Sequence, residues 1–138
     1  MVKTVNLPDT NVILRYLLKD NTDQYETAEK FFESVRTGRE KAVILESVLV
    51  ECVYVLTKYY QTPKAKAVGA LAGLLQYKGI VNSDREALLE GLQLFAGNNL
   101  DLVDCMLLAK SRSETMRLFS FDKALNKLSG AKGQKPKN

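Results

Sequence analysis

The chain has 138 residues, 46% of them hydrophobic and 26% charged, with a net charge of +4. That length supports one packed core, and no apolar run reaches the roughly 20 residues of a membrane span. Histidine is absent, so Ser-His-Asp and Cys-His nucleophiles and histidine acid–base catalysis are excluded. No basic stretch followed by an apolar one marks a secretion signal, and the cytoplasm is the expected compartment. The basic excess is compatible with a polyanionic partner.

The elements alternate between strand and helix. Val2 to Leu7 is a β-prone run ended by Pro8, which cannot donate to a ladder. Asp9-Thr10-Asn11 supplies capping side chains for a helix through Val12, Leu14, Leu17 and Leu18. A second helix spans about Thr22 to Arg36, with Ala28, Phe31, Phe32 and Val35 on one side and Gly38 as its stop. Ala42 to Leu45 reads as a second strand, after which Ser47 is placed to cap a helix carrying Val48, Cys52, Val55, Leu56 and Tyr59. Thr62-Pro63 marks the next helix start, with Pro63 in its first position, and that helix reaches Gln76. Gly79-Ile80-Val81 is a brief strand. Ser83 to Glu86 has the pattern of a capping box, opening a helix that stops at Gly97. Another helix begins near Asp101. Arg117 to Phe121 is the last strand, and Asp122 caps a short final helix.

This alternation predicts an α/β fold with a parallel sheet covered by helices on both faces. A single domain is expected over residues 1–128. Residues 129–138, with Lys132, Lys135 and Lys137, have no apolar periodicity and read as a basic, disordered tail. In such folds ligands collect beyond the carboxyl ends of the strands. Cys52 and Cys105 form no CxxC pair and are expected to be small buried apolar residues.

Four acidic stations stand out. Asp9 and Asp122 each follow a predicted strand, where an N-cap role and a place in a cleft are compatible. Glu51 shares a helical stripe with Val48, Cys52 and Val55, so an inward-pointing carboxylate is expected there. Asp101 and Asp104 lie three residues apart on one helical side. Asp101 can be a cap alone, whereas Asp104 is expected one turn in. Ser120 is expected on the same strand side as Asp122. Several carboxylates in one cleft cannot all stay ionised without compensation. A Mg²⁺ or Mn²⁺ ion would supply it and would activate a water against a phosphodiester. No GxxxxGK[ST] or GxGxxG loop is present.

The segments Leu7-Pro8-Asp9-Thr10-Asn11-Val12, Val50-Glu51-Cys52-Val53-Tyr54, Asp101-Leu102-Val103-Asp104-Cys105 and Phe119-Ser120-Phe121-Asp122 resemble, in order and spacing, a PIN domain. More closely they resemble the VapC-type toxins of bacterial and archaeal toxin–antitoxin pairs, over about residues 2–128. The resemblance implies a three-layer α/β/α sandwich and a metal-dependent endoribonuclease acting on RNA. Carried over by position, Asp9, Glu51, Asp104 and Asp122 are the catalytic, metal-binding acids. Asp101 is an auxiliary ligand, and Asn11 and Ser120 are supporting residues. A homodimer and a VapB-like antitoxin are implied as partners. Pro8 and the Leu107-Leu108-Ala109-Lys110 run depart from the family pattern. Arg15 and Lys123, each near an acid, are candidates for phosphate contact. A non-catalytic RNA- or protein-binding module of the same fold is the alternative. A phospho-acceptor receiver is disfavoured, because Pro8-Asp9-Thr10 lacks the acidic pair such a site needs.

Overall fold

Parallel strands cannot be joined by a tight hairpin, so each return must pass through a crossover of helix. The computed structural model describes residues 4–113 and 115–130, which divide into two compact units, Met1–Arg85 and Glu86–Asn138. In the first unit, β1 (Val5–Asn6) pairs in parallel with β2 (Lys41–Ala42), in the register Val5 to Lys41 and Asn6 to Ala42. Ala42 in turn bridges in parallel to Ile80. Three chain segments thus lie side by side, tied by Val43 N to Asn6 O at 3.0 Å, Ala42 N to Gly79 O at 2.9 Å and Val81 N to Ala42 O at 2.9 Å. The pairing is shorter than the runs expected over Val2–Leu7 and Ala42–Leu45. The start of the first run and residues 131–138 of the expected tail lie outside the described residues.

Helices α1 (Thr10–Leu18) and α2 (Thr22–Thr37) make the first crossover. Asn21 caps α2 through its side chain, which accepts from Gln24 N. Gly38 ends α2 at φ 87°, the left-handed conformation that favours glycine. Ala28, Phe32 and Val35 are buried along the inner side of α2, with Phe32 stacked on Tyr16 at 4.6 Å between ring centroids. Helix α3 (Glu46–Tyr54) starts one residue before the expected cap. Leu45 holds the N-cap position without a side-chain bond, so Ser47 is helical rather than a cap. The helix widens over Val55–Tyr59, where Tyr60 N reaches Val55 O at 3.1 Å. Helix α4 (Lys64–Leu75) begins just after Pro63. Pro63 stands at the N-cap, and its carbonyl accepts from Lys66 N and Ala67 N, each at 3.0 Å.

The core of this unit contains Ile13, Phe32, Ile44, Leu49, Leu71, Leu74, Leu75 and Ile80, all essentially inaccessible. Two polar devices seat the Ile80 segment. The Asn82 side chain acts as a surrogate strand: Ile44 N donates to its Oδ1 at 2.9 Å, and its Nδ2 donates to Ile44 O at 2.8 Å. Gly79 is wedged against the backbone at the end of α2, its N–H donating to Val35 O at 2.7 Å.

In the second unit, α5 (Arg85–Gly97), α6 (Leu102–Ser113) and α7 (Lys123–Leu128) are the described elements. The expected capping box at Ser83 is followed by a helix that begins at Arg85. Gly91 lets α5 approach Met106, because a Cβ there would stand 2.4 Å from the Met106 sulfur. Leu108, Leu118 and Leu125 form a buried cluster, with Leu94 and Leu100 packed against it. Residues 116–120 form no strand, contrary to the expectation for Arg117–Phe121. Leu118 is buried, while Phe119 and Phe121 are 84% and 88% exposed. The apolar alternation that suggested a strand therefore marks a coil anchored by one leucine. Among the described residues no helix is long and apolar enough to cross a membrane.

A Cβ added at Gly79 would meet Glu40 O at 2.1 Å and Val35 O at 2.6 Å, both backbone atoms that cannot swing aside. Gly79→Ala should therefore lower unfolding stability by about 3 kcal/mol, the upper part of the usual overpacking range. A shift of the urea midpoint at unchanged m-value is the measurement that checks it.

Candidate functional site

The first two acidic stations come together at the start of α1. Asp9 follows β1 by three residues, is extended at φ −88° and ψ 176°, and caps α1. Val12 N donates to its Oδ1 at 2.9 Å, which commits one carboxylate oxygen to the cap and leaves Oδ2 outside that bond. Thr10, the first residue of α1, donates its hydroxyl to Glu51 Oε1 at 2.6 Å. That bond spans 41 residues of sequence and ties the α3 acid to the residue beside Asp9.

Glu51 is not the buried, inward-pointing carboxylate that its apolar stripe suggested. It is exposed, although Cys52 beside it is fully buried and Val48 and Val55 are half-buried. The stripe runs along the margin of the core, and the side chain leaves it towards Thr10, which satisfies an anion more cheaply than burial would. Cys52 lies under both acids. Burial, then the charge of Glu51, then that of Asp9 push its thiol up to about 12 from an ordinary 9.0. Cys105 is likewise buried, as expected for both cysteines.

Asn11 is exposed on the first turn of α1 and lines a groove of about 620 Å³ with Leu7, Pro8, Val12 and Phe31. Arg15 is not available for phosphate in the way its position suggested. Its guanidinium pairs with Asp20 at 2.9 Å and donates to Tyr60 Oη at 3.3 Å, with only 16% of the side chain exposed. Lys123 is exposed at the first position of α7.

The remaining acids belong to the second unit. Asp101 is exposed and immediately precedes α6, and its carbonyl accepts from Cys105 N at 3.1 Å. Asp104 is half-buried and sits in the first turn of α6 rather than one turn in. An acid there is favoured by the positive end of the helix dipole, which gives Asp104 a local role in α6. Asp122 caps α7 through Leu125 N at 2.9 Å. Its own N–H donates to Ser120 Oγ at 3.0 Å. Asn126 Nδ2 donates to the carbonyls of Ser120 and Asp122 at 2.8 and 3.1 Å. Ser120 is therefore beside Asp122 through a turn, not through strand alternation. Asn126 was missed in the sequence because it lies on the helix that its own bonds help to start.

Within each unit, no group of three or more Asp, Glu or Cys side chains among the described residues is gathered to hold a metal ion. The donor chemistry at the head of α1 nevertheless suits a hard divalent cation. It offers two carboxylates and a hydroxyl, with no histidine in the chain and the nearby thiol held protonated.

Across residues 7–131 the chain matches the family model described as PIN domain. It belongs to the PIN domain family. The α/β class read from the alternating elements is the class of that family. The chain is similar to a VapC ribonuclease of Aquifex aeolicus (strain VF5), 25% identical over 125 residues, with 90% of this chain and 92% of the relative covered. No solved structure gives a significant match.

Two measurements follow from this geometry. In the metal-free folded protein at pH 8, Cys52 should resist alkylation, because its thiol stays neutral until pH nears 12. The raised value favours the folded state fully below the ordinary thiol pKa, and that contribution is lost as pH rises towards 12. Mass spectrometry after iodoacetamide treatment, with and without denaturant, reads the protection. Separately, Asp122→Ala should lower stability by about 1 kcal/mol through loss of the α7 cap. Asp122→Asn should retain most of that stability, because the amide oxygen still accepts from Leu125 N; thermal melts of the two variants compare them.

Proposed function

We propose that this protein is a metal-dependent endoribonuclease, the toxin of a type II toxin–antitoxin pair, hydrolysing RNA phosphodiester bonds. The reading is supported by the Thr10–Glu51 side-chain bond beside the Asp9 cap at the head of α1, in a chain that belongs to the PIN domain family. The VapC ribonuclease relative, matched along nearly its whole length, supports the same activity.

Asp9 and Glu51 in the first unit, and Asp104 and Asp122 in the second, are the proposed ligands of Mg²⁺ or Mn²⁺, with Asp101 as an auxiliary. When bound, such an ion lowers the pKa of a coordinated water and neutralises charge developing on the phosphate oxygens. The chain's own residues hold and orient. The α1 cap fixes the Asp9 backbone, Thr10 holds Glu51, and the Ser120–Asn126 bonds fix the turn that carries Asp122. Asn11 supports the first acid from the adjacent helical position. The absence of histidine leaves proton transfer to water and carboxylates.

The net charge of +4 favours approach to a polyanion such as RNA. The proposed setting is the cytoplasm, with a VapB-like antitoxin as inhibitor and a second copy of the chain as homodimer partner.

The purified protein should cleave RNA in Mg²⁺ or Mn²⁺ and lose that activity in EDTA. Asp9→Asn, Glu51→Gln and Asp104→Asn should each slow cleavage on the order of 10²–10³-fold, the usual loss when one group that stabilises developing charge is removed. Undiminished cleavage in EDTA or in these variants would defeat the assignment. Metal binding without turnover on any RNA would point to a binding module instead.

A further inference from the structure

The acids are the residues that the function calls for, but the only side-chain bond linking two of their stations within the first unit belongs to a neutral residue, among the described residues. The geometry points to Thr10 as the positioning residue of Glu51: its hydroxyl holds one carboxylate oxygen so that the other is presented, beside Asp9, to a divalent cation. The inference rests on the metal-dependent reading above and assigns Thr10 a role in ion binding.

The physical case has three parts. First, Glu51 is exposed on α3, and a free glutamate side chain there would spend its time among several rotamers in water. The 2.6 Å bond from Thr10 Oγ1 to Glu51 Oε1 selects one direction, towards the head of α1. Second, the donor is itself rigid. Thr10 is the first residue of α1, its backbone is set by the Asp9 cap, and its branched Cβ restricts χ1. Its hydroxyl is therefore aimed before any ion arrives. Third, the bond engages Oε1 and leaves Oε2 outside it. A hydrogen bond to the outer oxygen of a ligating carboxylate is the usual way a protein orients that ligand.

The α3 backbone is anchored independently. Ile44, two residues before the start of the helix, is held on both its N–H and its C=O by Asn82. Loss of the Thr10 bond should thus release the Glu51 side chain without moving the helix that bears it. A positioning role predicts weaker ion binding at nearly unchanged stability, whereas a structural role predicts the reverse.

The test is Mn²⁺ titration of the full chain without RNA, followed by the loss of the free-ion paramagnetic resonance signal, alongside thermal melts. Thr10→Val should weaken Mn²⁺ binding about ten- to a hundredfold, the usual range for an outer-shell partner, and Thr10→Ser should restore it. In a Glu51→Ala background, Thr10→Val should add no further loss, because its target is gone. Thr10→Ala serves the same comparison if the valine variant does not fold. Wild-type affinity in Thr10→Val or Thr10→Ala, or an equal further loss in the Glu51→Ala background, would overturn the role of Thr10 and leave the metal-dependent reading standing. A wild-type chain that binds no Mn²⁺ would overturn both.

Discussion

Parallel pairing is the constraint on which the first unit depends. A two-residue ladder of β1 and β2, with Ile80 bridged beside them, is a small amount of sheet. Because all three segments run the same way, however, they leave the ladder at the same edge, and each exit must feed a helix or a turn there. Asp9, Leu45 and Asn82 stand just beyond the three exits. The cap of α1, the start of α3 and the clamp on Ile44 are consequences of that one direction.

The same edge explains how charge is handled. Among the described residues no polar or charged residue is fully buried. On α3 the apolar core reaches the acids: Cys52 is fully buried next to exposed Glu51, and the charges of Glu51 and Asp9 add to burial in raising its thiol pKa. Asp9 uses an amide of α1 and Glu51 uses a hydroxyl, so each anion is met by a donor at the water-facing margin.

The second unit uses local devices throughout. Asp122 caps the helix that follows it, Ser120 receives the Asp122 N–H, and Asn126 reaches back to both carbonyls. Leu118 joins Leu108 and Leu125 in a buried cluster, and that single anchor accounts for an apolar pattern which resembled a strand. Asp104 in the first turn of α6 likewise has a local helix-dipole role, so capping logic reaches further along the acids than their spacing suggested.

Much of the fold was legible in the sequence, because caps and periodicity act over a few residues. Asp9, Gly38 and Asp122 each stand at the helix end where their chemistry places them, and the buried side of α2 follows its apolar spacing. The acids, too, were visible as misplaced charge, and the family pattern lay in their order. Only the tertiary structure decided what those side chains touch. Whether Glu51 points inward depends on where the core ends, which periodicity does not encode. The engagement of Arg15 by Asp20 and Tyr60 depends on the path of the chain after α1 and α3. The strand-like Asn82 clamp and the Thr10–Glu51 bond join residues 38 and 41 positions apart. No local rule pairs residues at such separations, so these contacts exist only once the parallel register has brought the segments together.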